Sequence, residues 1–93
     1  MSNERFSSVW DAIENTPEGA ENMKVRAMLM RAVEGQIKTE GWSQTEAAKR
    51  LGVTQPRVSD LMRGKIDLFS IDALVNMIAS VGLHVSVDIR AAA

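Results

Sequence analysis

The sequence predicts a mainly α-helical fold, a compact bundle of four to five helices followed by one C-terminal β-strand. Its 93 residues suit one small domain. Apolar residues recur at helical spacing through most of the chain, and near its end the spacing changes to strict alternation. Hydrophobic residues make up 45% of the chain and cysteine is absent, which fits a globular domain without disulfides or thiolate metal sites.

The N-terminal third predicts a tail with a short helix in residues 1–15, and then a long helix. Thr16 is a capping residue followed by proline, so the long helix begins there and runs to about Glu40, where Gly41 ends it. The short helix has apolar residues at helical spacing, namely Phe6, Val9, Trp10 and Ile13. The predicted core stripe of the long helix is Met23, Ala27, Met30, Val33 and Ile37.

Residues 43–64, SQTEAAKRLGVTQPRVSDLMRG, predict two short helices around a tight turn. Ser43 and Glu46 have the spacing of a capping box for the second helix. Gly52 follows that helix and supplies the left-handed turn that other residues adopt only at a cost.

The third helix has a proline just inside its start, where the missing N–H costs nothing. Thr54 is its predicted cap, although proline biases the preceding Gln55 away from helical angles, so Gln55 is the alternative cap. The helix runs to about Arg63, and Gly64 ends it.

A fourth helix is predicted between a cap at Ser70 and a stop at Gly82. Its predicted buried stripe is Ile71, Leu74, Val75 and Ile78. The following LHVSVDI alternates apolar and polar residues, the pattern of a half-buried strand. Since the sequence offers this strand no internal partner, we expect it to pair with its copy in a homodimer through Leu83, Val85, Val87 and Ile89.

Helix, glycine turn and helix together are typical of a DNA-binding helix-turn-helix, here residues 44–63. Ala48 is small where two helices cross, and Val58 and Leu61 fill the angle between them. Residues 36–65 carry a net charge of +3 in a chain whose net charge is −1. The predicted organisation is therefore an N-terminal segment 1–15, a DNA-binding domain 16–82 and a dimerisation strand with tail 83–93.

The sequence from about Ala32 to Leu83 resembles the Xre-type, phage-repressor-like helix-turn-helix family. The resemblance rests on the spacing of Gln44, Ala48, Gly52, Val58 and Leu61. It implies a sequence-specific repressor that binds double-stranded DNA and needs no cofactor. It implies phosphate contact by Gln44, base contacts by Thr54, Gln55, Arg57 and Ser59, and backbone contacts by Arg63 and Lys65.

The run QPRVSDLMRGK and the terminal strand also resemble HigA-type antitoxin regulators. That resemblance implies an alternative function, an antitoxin that neutralises a small ribonuclease toxin and represses its own operon. Phe6, Val9 and Trp10 would then bind the toxin, or else they cap the bundle.

Other interpretations remain open for single residues. The alternative role of Gln44 is that of a helix cap only, and the alternative for Arg57 and Arg63 is a solvated surface. Asp60 could accept from a cytosine amino group, but we expect it to pair with one of these arginines. Trp42 could lie on the phosphate backbone, but we expect it to pack against the protein, because an aromatic residue just before a helix usually does. We expect His84 to lie on the surface of the strand. We find no pattern for an enzyme, a metal site, a signal peptide or a membrane span, and expect a cytoplasmic protein.

Overall fold

The computed structural model describes residues 16–92, which form four α-helices and one short 3-10 turn. Their bounds are α1 Pro17–Glu40, α2 Gln44–Leu51, α3 Gln55–Met62, the 3-10 turn Ile66–Leu68 and α4 Ile71–Ser80. The mainly helical fold and the order of its elements are as predicted. The 3-10 turn was not predicted, and the predicted short helix in residues 1–15 lies outside the described part of the chain.

Each helix begins with a side-chain cap at the predicted position. The hydroxyl oxygens of Thr16, Ser43, Thr54 and Ser70 accept hydrogen bonds from the backbone N–H three residues on, at 2.9, 3.1, 3.4 and 3.1 Å. These bonds satisfy N–H groups that have no partner within the helix. Thr54, and not the alternative Gln55, is therefore the cap of α3.

The turn between α2 and α3 depends on Gly52. Its φ is +69°, a conformation that a residue with a Cβ adopts only with strain. This geometry brings the N–H of Val53 to the carbonyl of Ala48 at 3.0 Å, which closes the end of α2. The chain then enters α3 after three residues, as the sequence predicts.

The core lies where α1 and α4 pack together and the α2–α3 pair packs against them. Met30, Val33 and Ile37 of the predicted α1 stripe are buried, whereas its Met23 and Ala27 are half-buried, so the C-terminal part of the stripe forms core as predicted. In α4 the prediction was partly wrong, because Val75 is 38% exposed whereas Met77 is buried.

Arg26 is a buried charged residue of α1, only 6% exposed, and no sequence pattern predicts its burial. Its Nε donates to the Asn22 side-chain oxygen at 2.7 Å, and its Nη1 donates to the Ile66 carbonyl at 3.3 Å. The guanidinium therefore fastens the 3-10 turn to α1. A buried charge is tolerated only with such partners.

Residues 83–92 have no helix and no strand pairing within the described chain. The N–H of Leu83 donates to the Ile78 carbonyl at 3.0 Å, and Leu83 and Val85 pack partly on the core. Val87 and Ile89 are 74% and 86% exposed. The strand thus stays a prediction that requires a partner. No helix within residues 16–92 combines the length and apolarity needed to cross a lipid bilayer.

Candidate nucleic-acid interface

The α2–turn–α3 unit is built around small and branched apolar side chains. Ala47 and Ala48 of α2 are buried, at 0% and 9% exposure, so the two helices approach closely. Val58 and Leu61 of α3 are each 1% exposed and form its inner side. This packing fixes α3 against the bundle and leaves its other side outermost.

The outer side of α3 is polar. Gln55, its first residue, is exposed, and the half-buried Ser59 lies one turn further on, only about 40° away around the helix. Pro56 stands in the first turn, where it stiffens the helix start without losing a helical hydrogen bond. Arg63, at the C-terminal cap, is exposed. The side that a DNA groove would meet thus has hydrogen-bonding groups and a cation.

Two other predicted contact residues stand at helix starts. Gln44 is the first residue of α2 and is exposed, and because Ser43 is the cap of that helix, Gln44 is not needed for capping. Thr54 is exposed, but its hydroxyl already accepts from the Arg57 N–H. A DNA contact by Thr54 would have to share this oxygen.

The loop after α3 carries Lys65, whose ammonium lies 3.6 Å from Asp60 Oδ1. The expectation that Asp60 pairs with Arg57 or Arg63 was therefore wrong. A left-handed Gly64, with φ +74°, turns the chain back so that the Lys65 N–H also donates to the Asp60 carbonyl at 3.1 Å. Helical spacing indicates the arginines three residues away as partners of Asp60, whereas the turn at Gly64 brings the Lys65 ammonium to it instead.

Arg57 points away from the outer side of α3. It follows Gln55 by two residues, about 200° around the helix, and is half-buried. Its Nη1 donates to the Leu68 carbonyl at 2.7 Å, and its guanidinium lies 4.1 Å from the centre of the Phe69 ring. This contact was not predicted, because no local pattern in the sequence links Arg57 to an aromatic residue twelve positions later.

Trp42 and His84 are the remaining residues that the sequence singled out. Trp42 packs partly on the core, as expected, and the Arg50 guanidinium lies 5.1 Å from its ring centre. Arg50 also pairs with Glu46 at 2.8 Å. His84 is exposed, and no group of three or more His, Cys, Asp or Glu side chains within residues 16–92 is arranged to hold a metal ion.

Comparison with known proteins assigns the family. A family model described as a helix-turn-helix domain matches residues 12–90. The chain belongs to the Xre-type helix-turn-helix family. The chain is also similar to a solved structure named "Putative XRE Family Transcriptional Regulator". The two share 33% sequence identity with a TM-score of 0.72, and the match covers 78% of this chain and 82% of that one. Comparison with curated protein sequences gives no significant match.

Membership of this family places the protein in the class of DNA-binding transcriptional regulators, which are typically not enzymes. The resemblance predicted from residues 32–83 is thereby confirmed. The contacts predicted for single residues, the homodimer and the antitoxin alternative remain predictions.

Proposed function

We propose that the protein is a transcriptional repressor that binds an inverted repeat as a homodimer, with α3 of each subunit in the major groove. The observation that carries the proposal is the division of α3 into a buried apolar side, Val58 and Leu61, and an outer polar side that begins at Gln55. A helix so divided can enter the major groove and meet base edges with its N-terminal residues.

Base recognition is assigned to Gln55 and Ser59, which follow one another along the outer side of α3. A glutamine amide can bind adenine with two hydrogen bonds, and a serine hydroxyl can donate or accept. Thr54 and Arg57 are predicted base contacts as well, although both already have partners within the protein. We therefore expect Gln55 to contribute most of the sequence discrimination.

Phosphate contact is assigned to Gln44, Arg63 and Lys65. All three are exposed: Gln44 begins α2, Arg63 is the C-terminal cap of α3, and Lys65 lies in the loop after α3. In the free protein Asp60 lies 3.6 Å from the Lys65 ammonium, so a phosphate would compete with this carboxylate. A partly exposed pair of this kind contributes little to stability, so a phosphate can readily replace the carboxylate as the partner of Lys65.

The homodimer is supported by the unpaired end of the chain. Val87 and Ile89 are exposed apolar residues, and Val87 lines a groove of about 380 Å³ together with Val25, Met28 and Ala32 of α1. Strand pairing with a second copy would satisfy the backbone groups of this segment and cover its apolar side. A two-fold dimer can also present two α3 helices about 34 Å apart, one turn of DNA.

The test begins with selection of a binding sequence from randomised DNA duplexes by the wild-type protein. Gln55→Ala should lose discrimination at one or two base pairs of that sequence by about 1–3 kcal/mol. Lys65→Ala should weaken binding to all sequences alike and reduce the salt slope by about one unit. Fluorescence anisotropy across a salt series measures both effects.

Lys38→Ala is the matched control for the lysine variant. Lys38 is exposed on α1 and pairs with Glu34 at 3.6 Å, so the same charge and a similar ion pair are lost outside the helix-turn-helix. Its salt slope should equal that of the wild type. A selection that enriches no sequence, or unchanged binding by both Gln55→Ala and Lys65→Ala, would contradict the proposed function.

The antitoxin alternative keeps this DNA-binding surface and adds toxin binding by Phe6, Val9 and Trp10. It is distinguished by co-purification of the full chain with the protein encoded in the neighbouring reading frame. Deletion of residues 1–15 should abolish the co-purification and leave DNA binding intact. Equal capture by both forms would contradict the assignment of toxin binding to this segment.

A further inference from the structure

The position of Arg57 in α3 is better suited to holding the helix in place than to contacting DNA. Gln55, Ser59 and Arg63 are spaced four residues apart and share the outer side, whereas Arg57 lies about 200° from Gln55, beside the buried Leu61. A side chain in that direction meets the protein's own loop before it meets a DNA groove.

The two contacts of Arg57 have good geometry. The 2.7 Å bond to the Leu68 carbonyl is a short charge-assisted hydrogen bond, and the 4.1 Å distance to the Phe69 ring centre is well inside the range of a cation–π contact. Phe69 is 1% exposed and belongs to the core, so the guanidinium is stacked against a fixed surface. A planar guanidinium can stack and donate in this way at once, whereas an ammonium cannot.

We infer that Arg57 is a positioning residue for DNA recognition, which rests on the proposed function: it holds the start of α3 against residues Leu68 and Phe69 and so fixes where Gln55 meets the bases. The 3-10 turn that supplies the Leu68 carbonyl is itself fastened to α1 by the Arg26 bond to the Ile66 carbonyl. The start of α3 is therefore connected through this turn to the longest helix of the bundle.

This role predicts that a change inside the core alters base discrimination. Phe69→Leu removes the aromatic ring but changes no group on the outer side of α3. Once the ring is gone, Arg57 loses its stacking surface and the start of α3 gains freedom, so Gln55 meets the correct and incorrect bases with less difference. Arg57→Lys should act in the same direction while keeping the positive charge.

The experiment measures the affinity of each variant for the duplex that the wild-type protein selects and for all its single base-pair changes. Gln55→Ala first identifies the base pairs that Gln55 discriminates. At those base pairs, Phe69→Leu and Arg57→Lys should each reduce discrimination by about fivefold to tenfold, with the wild-type salt slope retained. The double variant should be little worse than either single variant, because both remove one shared contact.

Folding is checked by circular dichroism, and affinities are measured at a temperature at which each variant is fully folded. Arg57→Lys decides the question if Phe69→Leu does not fold. Arg31→Lys is the matched control, since Arg31 is exposed on α1, and it should leave discrimination unchanged.

A direct DNA contact by Arg57 gives a different result. Phe69→Leu and Arg57→Lys would then retain discrimination at the Gln55 base pairs, and Arg57→Ala would lower the salt slope by about one unit or affect a different base pair. That result overturns the positioning role but leaves the proposed function intact. A wild-type protein that selects no sequence overturns both.

Discussion

Residues 43–63 and residues 83–92 both have regular sequence patterns, but only the first segment completes its structure within one chain. The helix-turn-helix has its two caps, Ser43 and Thr54, its left-handed Gly52 and its apolar inner side where the sequence predicts them. The C-terminal segment alternates just as regularly, yet Val87 and Ile89 remain exposed and no strand pairing forms within the described residues. A helix satisfies its own backbone, whereas a strand needs a neighbour.

The largest expected effect is on the free energy of unfolding, which should depend on the helix-turn-helix and not on the C-terminal segment. Leu61→Ala should lower the free energy of unfolding by about 2–5 kcal/mol, because Leu61 is 1% exposed and its removal leaves a cavity in the core. Ile89→Ala should leave it unchanged at a protein concentration where the chain is monomeric. Urea denaturation followed by circular dichroism compares the two. A loss of more than about 1 kcal/mol in Ile89→Ala would mean that the C-terminal segment is part of the monomer core.

The second prediction tests whether the C-terminal segment pairs with a second copy of the chain. Val87→Asp combined with Ile89→Lys should give a monomer, and affinity for an inverted repeat should fall by about 100-fold because the two half-sites are no longer bound by linked domains. Val85 is a poorer choice for this test, since it already packs partly on its own core.

His84→Asp combined with Ser86→Lys is the matched control, with the same charges at the alternate positions of the segment. It should remain dimeric in sedimentation equilibrium. If instead the Val87 and Ile89 variant stays dimeric at low micromolar concentration, the interface lies elsewhere, with the exposed part of α1 as the first candidate.

The smallest effect concerns two glycines and has opposite signs. Gly52→Ala should destabilise the protein by about 1 kcal/mol, because the residue is at φ +69° and backbone strain is the only penalty; an added Cβ has no atom within 4 Å. Gly35→Ala, inside α1 and with equally open surroundings, should stabilise by a similar amount. Thermal unfolding of both variants checks the signs. Equal effects would contradict the special conformation at Gly52.

Local chemistry explains which features the sequence predicts. Caps, glycine stops and helical stripes depend on residues three to seven positions apart, so all four helices were predicted with nearly correct bounds. Features missed by the prediction join distant parts of the chain: Arg26 with Ile66, and Arg57 with Leu68 and Phe69.

The same division holds for the candidate site: its locally determined features were predicted, and its contacts with distant parts of the chain were not. The outer positions of α3, such as Gln55 and Arg63, follow from helical geometry alone. The direction of Arg57 and the pairing of Asp60 with Lys65 depend on the loop after α3, whose 3-10 turn has no strong local signal. No periodicity can reveal a contact formed when the chain doubles back.

The packing of α1 against α4 has a consequence for the order of folding. The 30 residues between these helices, 41–70, contain the whole helix-turn-helix, so α1 and α4 can meet only by closing a loop around it. Contacts between α2 and α3 span far fewer residues and lose less chain entropy when they form. We expect the α2–α3 hairpin to form early and the docking of α4 on α1 to limit the refolding rate. The recognition unit would then exist transiently before the support that holds it rigid.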